Sequence, residues 1–429
     1  MTTTHKLGFW SVFALVTGSQ IGTGIFVSLV SLAPFGLFSL AGWAIAGVGA
    51  ISLALVFAQL CAWMPKTGGP HVYVHHAFGP TAAFFTGWTY WIISWVSTTT
   101  VIVAAVSYLT PFFGNNPTIN LCLGIILLVA VTALNFRGVS TAGHAEFALT
   151  LLKIIPLVFV PLLGLWYFNS DNFALDAVNA SLPTGQLLSS AALIAFYGFI
   201  GLESGTTPAA SVENPSTTIP RAVVLGTVCV AGLYILNSVG IMGIMPSAEL
   251  IRAQAPYADA LRFIVGGNWH LLLSFIASVI CIGTLNAWML TSGQIALGLA
   301  QDGFLPEFFG RTNKYGAPFI SLAISCAGII PLLIMTASNT LASQIDFIVN
   351  VSSTTFLFVY TACCLAFFKL LFENNLDPKS YYPLVYGCVA LLFCSWVIYS
   401  TPAYILSVAS LFIFSGIPLF IRFWYKQAA

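Results

Sequence analysis

Residues 17–26 read TGSQIGTGIF and lie inside an otherwise apolar segment running from about Gly8 to Phe35. Gly18, Gly22 and Gly24 fall within seven positions, together with Ser19, Gln20 and Thr23. Glycine weakens a helix interior by about 0.8–1 kcal/mol relative to alanine. A hydrophobic run with such a cluster at its centre reads as a helix built to break there.

Composition sets the surroundings of that break. The chain has 429 residues, 59% hydrophobic and 6% charged, with mean hydropathy +0.95. A soluble domain carries about 25% charged residues, so this surface is not one made for water. Repeated apolar runs of roughly 20 residues make the chain one polytopic membrane domain rather than two or three soluble ones. Met1–Lys6 is short and polar and the run after it is too long for a signal h-region, so no cleavable signal is expected. Nine cysteines are scattered with no CxxC pair, and Cys363–Cys364 are adjacent; they read as small core hydrophobes. A net charge of +1 argues against a nucleic-acid partner.

Twelve apolar runs separate at Gly, Pro, Asn and charged clusters. They lie near 8–35, 37–63, 81–112, 117–135, 145–168, 186–210, 221–245, 268–297, 317–337, 343–371, 382–400 and 402–424. With the N-terminus inside, the inner loops and tails hold Lys6, Lys66, Arg137, Arg221, Arg311, Lys314, Lys369, Lys379, Arg422 and Lys426. The outer loops hold only Arg252 and Arg262, and Lys153 falls within a span. That split obeys the positive-inside rule and places both termini in the cytoplasm.

In hydrocarbon a broken helix survives only where it is buried or lines a cavity. TGSQIGTGIF in span 1 has one counterpart, FIGLESGTTPAAS at 199–211 in span 6, with Gly201, Gly205, Pro208, the hydroxyls of Ser204, Thr206 and Thr207, and Glu203. Spans 1 and 6 open two five-span halves. Interrupted segments at matching positions of two halves point to an inverted-repeat transporter with its site at the breaks. The physics suits a zwitterion: a half-helix N-terminus in span 1 favours a carboxylate, and freed carbonyls in span 6 accept from an ammonium. The competing reading is close packing through small residues, which is assigned here to AGWAIAGVGA, 41–50. GSQIGTG lacks the Lys-Ser/Thr of a nucleotide loop.

Among the acids only Glu203 falls clearly inside a span, and among the bases only Lys153. Such charges cost at least about 2.5–3.5 kcal/mol on insertion scales and are read as functional by default. Glu203 carries a proton or links the break to a gate; the alternative is a protonated structural carboxyl bonded to backbone. Lys153 either snorkels to the cytoplasmic face or projects at the break in span 1, in the place of a coupling cation. Trp288, flanked by Thr284, Asn286, Thr291 and Ser292, either packs or offers its face to a cationic side chain. Ser94, Ser97, Thr98 and Thr99 of span 3 either line the same cavity or bond their own helix.

Together these motifs resemble the amino acid–polyamine–organocation superfamily, most closely its basic amino acid/polyamine antiporters of the arginine/agmatine type. The likeness is densest in GSQIGTGIF, PKTGGPHVYVHHAFGP (65–80), FYGFIGLESGTTPAASVENPSTTIPRA (196–222) and GTLNAWMLTSGQIALGLAQDGFLPEFFGRTNKYGAP (283–318). It implies an all-α LeuT-type fold in one transporter domain. One repeat spans about 8–168, an inverted second about 186–371, and two extra helices about 382–424. It further implies alternating access in the cytoplasmic (inner) membrane, often as a homodimer.

By position, the resemblance assigns carboxylate contacts to Ser19, Gly22 and Thr23, beside Gln20 and Gly24. Amine-binding carbonyls fall around Phe196, Phe199 and Ile200, next to Tyr197. The side-chain pocket falls on Ile93, Ser94, Thr98, Trp288 and Ser353, and coupling or gating on Glu203, Lys153, Tyr90 and Tyr197. Arginine antiporters carry Asn where this chain has Ser19 and Thr98, and a gating Trp where it has Tyr197, which weakens the case for arginine itself. Lys153 is similar instead to proton-coupled members, and argues against sodium dependence.

The leading expectation is therefore exchange of an amino acid, cationic preferred, for a related amino acid or amine. The alternative is proton-coupled symport of neutral amino acids. A membrane enzyme lacks a catalytic pair. The histidines at 5, 71, 75, 76, 144 and 270 sit at loops or span ends and form no metal site. No ring of charges or filter loop suggests a channel. His75-His76 reads as a solvated loop or a pH sensor. No cofactor or metal is expected.

Overall fold

The computed structural model describes residues 6–177, 179–253, 256–336, 341–373 and 381–428, with side chains left aside at 27, 265, 341–346 and 423–428. The described residues are helical, apart from turns and one isolated parallel bridge, Leu7 with Val212. The main helices are α1 (Phe9–Gln20), α2 (Thr23–Leu32), α3 (Phe38–Trp63), α4 (Pro70–Phe78) and α5 (Pro80–Ser107). Then follow α6 (Pro117–Asn135), α7 (Val139–Gly164), α8 (Thr184–Tyr197), α9 (Pro215–Ile244), α10 (Pro256–Val265) and α11 (Trp269–Gln301). The chain ends with α12 (Phe319–Thr336), α13 (Leu341–Glu373), α14 (Tyr382–Ser400), α15 (Ala403–Phe414) and α16 (Ile417–Ala428).

Proline sets several starts. It stands in the first turn of α4, α5, α6 and α9, where its missing N–H costs nothing. Inside α7, Pro161 removes the N–H that would bond Leu157. Asn237 of α9 fills the vacancy, donating to the Leu157 carbonyl at 2.9 Å.

Helix α7 also shows the environment these helices are made for. Leu151, Ile155, Phe159 and Leu162 are exposed, while Glu146, Thr150, Lys153 and Leu157 are buried. An apolar outer face and a polar inner one is the pattern of a helix solvated by lipid. Ten described helices are long and apolar enough to cross a membrane. The pair Phe9–Gln20 and Thr23–Phe35, bent by 43°, makes an eleventh crossing if it counts as one.

The expected twelfth, span 6, is not a continuous helix. α8 has 14 residues, and turns and two short 3-10 segments, Ser204–Thr206 and Ala209–Ser211, follow it. Several limits move. Span 5 begins at Val139 rather than 145, because the polar Ser140, Thr141 and His144 masked its first two turns. Residues 70–78, expected as loop, are helix α4. The last run divides at Ser415–Gly416.

Candidate functional site

Helix α1 stops at Gln20, Ile21 is extended, Gly22 is neither helical nor extended (φ −150°, ψ −132°), and α2 resumes at Thr23 with no side chain capping it. A helix end leaves its last carbonyls without partners, and here other spans supply donors. The Gly18 carbonyl accepts from Lys153 Nζ at 2.9 Å and lies 3.0 Å from Thr284 Oγ1. The Ser19 carbonyl accepts from Trp288 Nε1 at 3.2 Å, Gln20 from the Tyr234 hydroxyl at 2.7 Å, and Ile21 from Thr284 Oγ1 at 2.7 Å. These bonds let the chain break in hydrocarbon.

Close approach explains two of the glycines. A Cβ on Gly22 would lie 2.5 Å from Thr284 Oγ1, and one on Gly24 would lie 2.8 Å from the Cα of Gly198. The second contact places the break in span 1 directly against the end of α8.

Beyond α8 the chain turns through Gly201, whose φ of 104° is a left-handed value that favours glycine. The Phe196 carbonyl accepts from Phe199 N at 2.8 Å, and the Phe199 carbonyl from Leu202 N at 3.3 Å. The expectation of wholly freed carbonyls is corrected for these two, because tight turns replace the helix; each carbonyl still has a second lone pair. Ser19 Oγ joins the breaks, 2.9 Å from the Gly201 carbonyl and 2.7 Å from Ser204 Oγ.

Around this junction the expected residues divide. The Tyr197 hydroxyl lies 2.9 Å from Thr100 Oγ1 and 3.4 Å from Thr23 Oγ1. Buried Glu203 accepts from the Tyr90 hydroxyl at 2.7 Å and from Tyr360 of α13. Its bonds run to side chains as well as turn backbone, so Glu203 ties α5 and α13 to the break. Trp288 is buried, its ring 5.4 Å from that of Phe356.

In α5, Ser94 donates to the Trp91 carbonyl at 2.7 Å and Thr98 to Ser94 at 2.6 Å, so both hydroxyls bond their own helix. Ile93 and Ile200 are buried. The Ser353 hydroxyl and the Gln20 Oε1 are buried without a hydrogen-bond partner among the described residues, while Gln20 Nε2 donates to the Val16 carbonyl at 3.0 Å.

Lys153 projects at the break and does not snorkel. Besides Gly18 it lies 3.2 Å from Thr284 Oγ1 and 3.2 Å from Glu146 Oε1. Glu146 is fully buried in α7, so Glu203 is not the sole acid inside a span. A span drawn from 145 puts Glu146 at a helix end, whereas the observed start at Val139 puts it inside the helix.

Residues 7–423 match the amino acid permease family over almost the whole chain. The chain belongs to that family, within the amino acid–polyamine–organocation superfamily. It is similar to a putative arginine/ornithine antiporter of Bacillus subtilis (strain 168), 29% identical over 433 residues, covering 93% of this chain and 92% of the relative. It is similar to the putrescine transporter PotE of Haemophilus influenzae, 27% identical with 98% of each chain covered. A cadaverine/lysine antiporter of Escherichia coli (strain K12) is 29% identical, with 78% and 76% covered.

The permease has a second polar cluster, beside the far end of the break in span 6, where Gly68 N donates to the Thr207 carbonyl at 3.0 Å. Asp302, just past α11, bonds Lys66 and accepts from His71 Nε2 at 3.2 Å. Burial raises the Asp302 carboxyl, but the bonds from His71 and Lys66 outweigh it and hold the group at about 2. Burial pushes the His71 imidazole below its ordinary 6.5 despite Asp302. His71 is thus an anchor in a helix and not a loop residue. The permease residues that sequence reasoning missed are Tyr234, Tyr360, Asp302 and Glu146.

Proposed function

We propose that the permease exchanges an amino acid, cationic by preference, for a related amino acid or amine by alternating access. The observation that carries this reading is the junction of the two breaks, where Gly24 abuts Gly198 and Ser19 bridges to Gly201 and Ser204. The uncapped start of α2 takes the carboxylate, since helix N-termini favour anions. The spare lone pairs of the Phe196 and Phe199 carbonyls take the α-ammonium, and Trp288 flanks the side chain. Names of relatives that move arginine/ornithine, putrescine and cadaverine/lysine support a cationic or amine substrate.

In this reading Tyr197, held by Thr100 and Thr23, closes one side of the site. Glu203 with Tyr90 and Tyr360 closes the other and couples the gate to protonation. Twelve spans in a 5+5 inverted repeat with two extra helices, both termini cytoplasmic, an inner-membrane location and a homodimer complete the proposal. Proton-coupled symport of neutral amino acids is the second reading, favoured by the buried amine of Lys153 at the break.

Titration of the purified permease with ornithine, ornithine methyl ester and putrescine tests the carboxylate cradle. Ornithine is expected to bind about tenfold or more tightly than its ester, the value of one charge-assisted contact. Equal binding of acid and ester would remove the cradle.

A further inference from the structure

Lys153 and Glu146 are both 0% exposed and stand seven residues apart, on one face of α7. The bonding around them suits a charged pair. An ammonium has three N–H donors and no acceptor. Lys153 Nζ has three partners, and each is an acceptor. The Gly18 carbonyl can only accept. Thr284 Oγ1 has one hydrogen, and the carbonyls of Gly18 and Ile21, at 3.0 and 2.7 Å, compete for it; its oxygen therefore accepts from Lys153. The third partner is the Glu146 carboxylate.

The carboxylate in turn is held by Asn286, and the Thr150 hydroxyl beside it also lies 3.3 Å from the Ala14 carbonyl. Asn286 Nδ2 donates to Oε2 at 2.9 Å, and Thr150 Oγ1 approaches Oε1 at 3.4 Å. Asn286 is itself oriented, donating to the Ala142 carbonyl at 3.1 Å and accepting from Asn135 Nδ2 at 3.0 Å. A chain Asn135–Asn286–Glu146–Lys153–Gly18 thus ties α6, α11 and α7 to the broken end of α1. Glycines make room for it. A Cβ on Gly283 would sit 2.9 Å from Lys153 Nζ, and one on Gly18 would sit 2.9 Å from Glu146 Cδ.

We propose that Glu146 is the positioning residue that keeps Lys153 charged and docked on the end of α1. This deepens the exchange reading and rests on it: Lys153 is a fixed internal cation and not the site where a transported proton boards. Other titratable groups on the elements packed against the pair do not substitute for Glu146. Helix α1 has none and α6 only the exposed Cys122. Helix α9 offers Tyr234, bonded to Gln20, with Arg221 and Cys229 exposed. Helix α10 carries Tyr257, Asp259 and Arg262, and α11 carries His270 and the buried Cys281 thiol. Glu146 is the carboxylate in contact with the amine.

The test is homologous exchange in proteoliposomes, measured from pH 6 to 10, for wild type, Glu146→Asp and Glu146→Gln. Without its counter-charge a buried ammonium gives up its proton as the pH rises. Glu146→Gln is therefore expected to lose exchange on the alkaline side by about tenfold relative to its own neutral rate, the change one charge partner commands. Wild type shows no such loss, and Glu146→Asp, which keeps the anion, follows wild type at a lower rate. A Glu146→Gln profile parallel to wild type would overturn the proposal.

If Glu146→Gln does not reach the membrane, Lys153→Met and the double variant decide instead. Removing Lys153 alone strands a buried carboxylate, so the double variant is expected to be the more abundant and heat-stable of the two. A double variant no better than Lys153→Met would contradict the pair. Failure of the exchange reading is distinguished by wild type alone, as uptake that needs no internal substrate.

Discussion

Gly24 and Gly198 face each other across the two helix breaks so closely that a Cβ on Gly24 would stand 2.8 Å from the Cα of Gly198. The contact is backbone to backbone, so no flexible side chain can give way. Gly24→Ala is expected to force the breaks apart at a cost of about 1–3 kcal/mol, the usual range for overpacking. Substrate affinity then falls by about tenfold or more. Binding to the purified variant checks this; unchanged affinity would separate the contact from the site.

Glu203 receives the hydroxyls of Tyr90 and Tyr360, from α5 and α13. A glutamine has one carbonyl and an NH2 in place of the two carboxylate oxygens, so one tyrosine loses its acceptor. Glu203→Gln is expected to flatten the pH dependence of exchange while leaving binding measurable. An unchanged pH profile would remove Glu203 from coupling.

Trp288 combines two contributions, a ring face and an Nε1–H that holds the Ser19 carbonyl. Trp288→Phe keeps the ring; Trp288→Leu removes both. A desolvated cation–π contact is worth about 2 kcal/mol, so Trp288→Leu is expected to weaken lysine or ornithine binding by more than tenfold relative to a neutral amino acid. Trp288→Phe keeps most of the preference for the cationic ligand. Equal losses of cationic and neutral ligands would leave Trp288 a packing role.

Asp302 ties α4 to the end of α11 through His71 and Lys66. Its carboxyl is held at about 2, below the ordinary 3.8. A depressed carboxyl stabilises above its unfolded value and loses that effect as the pH falls toward the folded one. Asp302→Asn is expected to lower the thermal midpoint by a few degrees at neutral pH, with the gap to wild type constant down to about pH 5 and closing below it. A gap that changes between pH 6 and 8 would assign the titration to another group.

The sequence showed where the chain breaks because Gly18, Gly22, Gly24 and Ser19 stand out in an apolar run, and Gly201 and Glu203 do so in a second. It did not show which partners make the breaks tolerable. Thr284 stands out only as a neighbour of Trp288, yet it caps the end of α1, and Tyr234 and Tyr360 carry no local mark among 15 tyrosines. Hydroxyls are ambiguous for a physical reason: Ser94 and Thr98 can bond their own helix as well as a ligand, and here they bond the helix. Glu146 had a usable signal. Its spacing of seven from Lys153 puts both on one helical face, but a span drawn from 145 placed it at the boundary, where an acid needs no explanation.

The central claim is exchange at the junction of the breaks. Its most direct test is uptake of labelled arginine, lysine, ornithine and putrescine, and of a neutral amino acid, into proteoliposomes loaded with or without the unlabelled compound. The assay is run with and without an imposed pH gradient. The account predicts uptake of cationic substrates that requires internal substrate. Uptake into empty vesicles, driven by inward protons and favouring neutral amino acids, would contradict it.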